Sequence, residues 1–137
     1  MTNPFDAFCI TKQSEEGVKL PLTLPNGKPT DHWLKVRGMD CPQCRASEAI
    51  YDRGLSLLAA EHNKKELDPV EYKERRGALL RDYIASFIVD WSNTQDCTKG
   101  NVVSFLGQAP QILDAVDRFV SDRGNFIDAA FTNPPTA

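Results

Sequence analysis

Most of the signatures that assign a function at sight are missing from this sequence. No apolar run approaches the ~18 residues of a membrane-spanning helix. The opening stretch MTNPFDAFCITKQSEEG lacks the charged-then-apolar pattern of a secretory leader. The expectation is a protein that stays in the compartment where it is made. There is no basic stripe and no alternation of basic with aromatic residues. Instead 16 Lys and Arg are mixed with 19 Asp and Glu, for a formal net charge of −3. Affinity for phosphate needs clustered cations, so no nucleic acid and no anionic membrane surface is an expected partner. A Gly-rich phosphate cradle, an HExxH helix and a GxSxG elbow are all lacking. Histidine is scarce: His32 and His62 are the two in the chain, both in polar surroundings and expected to face solvent. Asp31-His32 has no nucleophile at a recognisable spacing, and the carboxylates are dispersed over helix faces. No catalytic constellation emerges, and the chain reads as a non-enzyme without a cofactor. Internal repeats and low-complexity tracts are absent as well.

What is present is ordinary for one soluble domain. The 137 residues are 41% hydrophobic and 26% charged, enough for a core that needs neither disulfide nor metal. Four cysteines, Cys9, Cys41, Cys44 and Cys97, are expected as reduced thiols. Cys41-Pro42-Gln43-Cys44 is the loudest short motif. A dithiol at a helix start suits redox chemistry, because the helix N-terminus lowers thiol pKa. That chemistry usually sits in a βαβ frame, and no later strands are predicted here. Half a zinc site is the second reading. The remaining candidate ligands, Cys9, Cys97, His32 and His62, are scattered singly, whereas a structural zinc needs four. The preferred reading is two small residues tolerated at a helix start, with Cys41 and Cys44 kept as weak metal candidates.

Periodicity divides the chain into four. Residues 1–16 are expected to be loosely ordered or a short extra strand, with Phe5, Phe8 and Ile10 tucked onto the body. Residues 17–38 alternate Val18, Leu20, Leu22 and Leu24 with polar or proline positions, then Trp33 against Leu34 and Val36. The intervening Asn26-Gly27 favours a tight turn, so the pattern predicts a β-hairpin, 17–24 against 31–37. Pro21 cannot donate to a ladder and marks an edge. The edge carrying Val18, Leu20, Leu22, Trp33, Leu34 and Val36 is a candidate rail for a partner strand or for self-association.

Residues 39–130 read as a helical domain. Asp40 is expected as the N-cap of a first helix running to about Glu61, with Ala46, Ile50, Leu57 and Leu58 on its inner face and Gly54 as a weak spot. Asp68 caps a second, whose stripe of Leu80, Ile84, Phe87, Ile88 and Trp91 has helical spacing. Thr98 caps a short third carrying Phe105 and Leu106. Pro110 opens a fourth carrying Val116 and Phe119, with Phe126 either on its extension or in a short final turn. The tail, 131–137, is expected to be disordered. The fold class is therefore α+β, mainly helical, with an N-terminal hairpin packed on about four helices.

Two segments together resemble the tail assembly chaperones of long-tailed bacteriophages and prophages. The first is Val36-Arg37-Gly38-Met39-Asp40 leading to Pro42 and Arg45. The second runs from Ile88-Val89-Asp90-Trp91-Ser92 through Cys97-Thr98, Asn101-Val102 and Ala109-Pro110 to Val116-Asp117-Arg118-Phe119, Asp122-Arg123 and Gly124-Asn125-Phe126. In that family a Trp closes a helix, a short capped helix follows, and a Pro-initiated helix ends in a D-R-x-N-F-like sequence. Cys41 and Cys44 stand where the family carries small polar or apolar residues. The resemblance implies a late, non-enzymatic protein of the infected host cytoplasm. Such a protein binds the tape-measure protein, keeps it soluble, helps recruit tail-tube protein and is absent from the mature virion. It also implies that Trp91, Phe87, Ile88, Phe105, Leu106, Val116, Phe119 and Phe126 build the scaffold. The alternatives are a structural minor tail or head–tail connector protein retained in the virion, and a small zinc- or thiol-dependent protein built on Cys41 and Cys44.

Overall fold

Five α-helices and three strands are found among residues 3–127, the part of the chain that a computed structural model describes. The expected tail over 131–137 lies outside the described residues. The N-terminal stretch is neither loose nor a strand. Asn3 accepts the Phe5 N–H at 3.0 Å and opens a 3-10 turn, Pro4–Phe8, followed by helix α1, Thr11–Glu16. Backbone bonds to the later chain hold α1 down: Gly38 N–H donates to Ser14 O at 2.9 Å, and Arg37 Nε to Glu15 O at 3.0 Å. Phe5 and Phe8 do not tuck in; they are 69% and 76% exposed, and their rings pair with each other at 5.8 Å. Ile10 does pack on the margin of the core.

The hairpin forms where the alternation places it. Strand β1, Val18–Thr23, pairs antiparallel with β2, Pro29–Val36, setting Val18 opposite Val36 and Leu20 opposite Leu34. Gly27 turns the chain at φ 87°, the left-handed region that Asn-Gly favours. Asn26 Oδ1 steadies the loop by accepting the Lys28 N–H at 3.1 Å.

The main departure lies at Ile88. Helix α3, Pro69–Ala85, stops short of Trp91, and Ile88–Trp91 becomes β3, which pairs antiparallel with β2 in the order β1-β2-β3. Ser86 Oγ ends the helix by donating to Tyr83 O at 2.5 Å, and Arg37 N–H takes Phe87 O at 2.8 Å. The second edge of β2 offers ladder partners to a segment rich in β-branched and aromatic residues, which fit a pleated surface better than a helix. The register passes from Lys35↔Asp90 to Val36↔Ile88, leaving Val89 as the extra residue of a bulge. Residues three apart in a regular strand face opposite sides. The bulge turns Ile88 and Trp91 toward the same core, which is why a helix-like spacing survives in a strand.

Beyond the sheet, α4, Lys99–Gln108, is capped by Thr98, whose Oγ1 accepts the Asn101 N–H at 3.2 Å. Helix α5, Pro110–Ser121, begins at Pro110 and buries Ile112, Leu113, Val116 and Val120. It ends before Gly124, and a 3-10 turn over Arg123–Phe126 seats Phe126 in the core, edge-on to Phe119 at 5.7 Å. The short final turn is therefore what forms. Leu34, Val36, Ile84, Phe87, Leu106, Val116 and Phe126 make the sealed centre.

Helix α2, Pro42–Lys65, and the first turns of α3 stand beside this centre as an antiparallel arm. Asp40 is not the cap of α2. Pro42 takes the first helical position, so the cap falls on Cys41, whose Sγ accepts the Cys44 N–H at 3.3 Å. Asp68 does cap α3, accepting the Glu71 N–H at 3.3 Å. Tyr51 stacks on Tyr83 at 4.8 Å and His62 on Tyr72 at 4.6 Å, while Arg75 reaches Glu61 at 2.6 Å. Gly54 is also a point of close approach: a Cβ there would lie 2.8 Å from Leu79 Cδ2. The expected inner face of α2 is mostly outside, with Ile50 74% and Leu57 60% exposed; of that set only Leu58 is buried. The packed face runs instead through Cys44, Tyr51, Gly54, Leu58 and His62, so His62 is half-buried under Tyr72 rather than facing solvent. The whole is the expected mainly helical α+β fold, with a hairpin on four later helices and one strand more than the pattern predicts.

Candidate functional site

An apolar groove opens where the hairpin, the end of β3 and the α4–α5 corner meet. Its volume is about 320 Å³, and its walls include Leu22, Leu24, Trp33, Trp91, Phe105 and Ile112. Each wall has a local cause. The β1–β2 loop carries Leu24 outward, 49% exposed. Trp91 closes β3 and is fixed by its indole N–H, which donates to Gln95 O at 2.7 Å, and by Phe105 standing edge-on at 6.0 Å. Lys19 Nζ lies 4.2 Å from the centre of the Trp33 ring, a cation–π contact that keeps the ring in place. Ala109-Pro110 breaks the chain between α4 and α5 and brings Ile112 to the floor.

Two of the hydroxyls at the rim are already engaged. Thr30 Oγ1 donates to Leu22 O at 2.7 Å, and Ser92 Oγ accepts the Trp33 N–H at 2.9 Å. The fold also brings Ser92 Oγ to 3.1 Å from His32 Nδ1, a proximity that residue spacing does not reveal. Nucleophilic catalysis needs the base to be oriented in turn by a third group. Among the described residues no carboxylate bonds the exposed His32 ring. The apolar walls suit the groove to holding apolar groups, such as the side chains of one face of an amphipathic helix.

The residues predicted as a partner edge divide between two places. Leu34 and Val36 are 1% and 0% exposed on the central strand of the sheet, so they cannot serve as a docking rail. Val18, Leu20 and Leu22 are half-buried on β1, which has no second strand partner among the described residues. Leu22 and Trp33 join the groove. So do Trp91 and Phe105, which the periodicity places in the scaffold. Phe87, Ile88, Leu106, Val116 and Phe126 are buried, and Phe119 is half-buried against them. Ser92 carries no signal of its own in the sequence, and Leu24 and Ile112 read there only as strand and helix positions, because the groove depends on β3 pairing with β2.

Cys41 and Cys44 are both buried, with their sulfurs 3.0 Å apart. Burial and the hydrogen-bonded neighbour Cys41 push the Cys44 thiol well above its ordinary range. No group of three or more His, Cys, Asp or Glu side chains that could hold a metal ion occurs among the described residues, so the zinc reading has no further ligands there. Asp40, freed from capping, binds Arg123 through two bonds of 2.8 and 3.1 Å. That hydrogen bond, and then the guanidinium charge, holds its carboxyl below the usual range. No helix among the described residues is long and apolar enough to cross a membrane. The chain matches no protein family, no curated protein and no solved structure.

Proposed function

We propose that this chain is a non-enzymatic tail assembly chaperone of a long-tailed bacteriophage, acting in the host cytoplasm. It binds the tape-measure protein, keeps it soluble, helps recruit tail-tube protein and leaves before the virion matures. The residue resemblance from Val36 to Phe126 names the role. The observation that carries it physically is the open apolar groove between Leu24, Trp33, Trp91 and Ile112. A tape-measure chain is long and helical, and its apolar faces have no partner until the tail tube closes round it. Covering such a face until assembly supplies the final partner suppresses aggregation by mass action. The groove offers apolar walls, so an incoming aliphatic or aromatic side chain removes apolar surface from water.

Co-expression with the tape-measure protein tests this. With the native chain the tape-measure protein is expected in the soluble fraction. With Leu24→Glu, which places a charge on an exposed groove wall without entering the core, it is expected in the pellet. A tape-measure protein that stays insoluble with both forms defeats the reading. So does an abundance of this chain in purified virions, the mark of a minor tail or head–tail connector protein.

A further inference from the structure

Neither the groove nor the scaffold accounts for two buried thiols in contact. Cys41 and Cys44 are 0% and 1% exposed, and their Sγ atoms lie 3.0 Å apart. Residues three apart across a helical turn have the Cα separation a disulfide requires. Cys41 has extended backbone, φ −76° and ψ 145°, and its sulfur lies over the first turn of α2, where it accepts the Cys44 N–H at 3.3 Å. Cys41 Sγ in turn donates to Gln43 Oε1 at 3.3 Å. Burial and the neighbouring Cys41 sulfur raise the Cys44 thiol, which keeps its proton. The two sulfurs are in contact, and the protonated Cys44 is the one placed to resolve, which leaves Cys41 to attack.

We propose that Cys41 and Cys44 are an oxidation site, a dithiol that a small hydroperoxide closes to an intramolecular disulfide at the head of α2. The Cys41 sulfur attacks one peroxide oxygen and gives up its proton. The O–O bond breaks, and the departing hydroxide takes up a proton to become water, leaving a sulfenic acid on Cys41. The Cys44 sulfur then attacks the Cys41 sulfur. The S–O bond breaks, and the hydroxyl leaves as water with the proton Cys44 held. Two thiols and one hydrogen peroxide thus give one disulfide and two waters; sulfur loses two electrons and the peroxide gains them. Burial selects an oxidant about the size of water over a bulky disulfide. Cys9 is exposed, and its Sγ bonds Phe5 O at 3.6 Å, so it serves as an internal control without a resolving thiol.

The test treats the reduced full chain with equimolar hydrogen peroxide, alkylates in denaturant and maps the peptides by mass. The peptide holding Cys41 and Cys44 is expected to lose about 2 Da, two hydrogens, and to take up no alkylating agent. Cys44→Ser is expected to leave Cys41 as a sulfenic acid that dimedone captures, and Cys41→Ser to leave Cys44 unreacted. The Cys9→Ser/Cys97→Ser double variant keeps the pair intact and should close like the native chain, so the result does not depend on the single variants folding. Full alkylation of Cys41 and Cys44 after peroxide, or dimedone on Cys44 instead of Cys41, overturns the proposal.

Discussion

Helix α2 spans 24 residues and buries two of them, Cys44 and Leu58, whereas α5 spans 12 and buries four. The two are held by different forces. α5 is fixed by apolar burial against α3, α4, β1 and the turn that carries Phe126, a contribution of about 1.5–3 kcal/mol per large side chain. α2 is held by what its own sequence does locally. Pro42 starts it, and Ala46, Ala49, Ala59 and Ala60 favour it. His62, Lys64 and Lys65 oppose its dipole in the last turn, and one side is zipped to α3 by ring stacking. Its opposite side, Ala46, Ile50 and Leu57, faces outward. A helix of this kind keeps its shape while contributing little to global stability, and regions of that kind open first.

The largest expected effect breaks the centre. Phe87→Ala removes a sealed ring, 1% exposed, and is expected to cost about 3–5 kcal/mol, read as a lowered urea midpoint. Leu58→Ala and Asp68→Ala act on the arm instead. The cap alone is worth about 1 kcal/mol. Hydrogen exchange should show faster amides across the middle of α2 and the start of α3, with those of β2 and α5 unchanged. Equal acceleration in β2 would mean that arm and centre open as one unit, erasing the contrast.

The smallest effect separates two ion pairs by region. Asp40 is held low by its hydrogen bonds to Arg123, and Glu61 by Arg75. A carboxyl whose folded pKa is lowered adds stability that is present above its unfolded pKa and lost as pH falls through the folded one. The window therefore lies below about pH 4. Asp40→Asn, which loosens the join between the head of α2 and the turn after α5, should make the acid loss of global stability shallower. Glu61→Gln, at a more exposed carboxylate in the arm, should change that slope less.

The same contrast explains what was legible in the residues. Asn26-Gly27, Asp68-Pro69, Thr98 and Ala109-Pro110 act within a few positions of themselves, and each does locally what its chemistry predicts. Asp40 fails as a cap because Pro42 moves the helix start by one residue and Arg123, 83 positions away, claims the carboxylate. Ile88–Trp91 fails as a helix because the free edge of β2 is a long-range partner and a bulge at Val89 disguises the strand period. The inner face of α2 is not legible because Tyr51, Gly54 and His62, which carry the packing, look less apolar than Ile50 and Leu57. The groove was hidden for the first of these reasons: its walls assemble only when β3 reaches β2.

One consequence follows from where β2 and β3 sit in the chain. β2 ends at Val36 and β3 begins at Ile88, and the two residues are ladder partners, with Arg37 N–H meeting Phe87 O at 2.8 Å. In polymer terms the α2–α3 excursion is a loop whose ends touch. The entropy of closing such a loop grows only logarithmically, about 0.6 kcal/mol for each doubling of length. Insertions or deletions of whole turns at the far end of the arm, near Glu66 and Leu67, would barely disturb the sheet that closes it. The arm is the part of this fold whose length is free to drift, while the centre stays fixed.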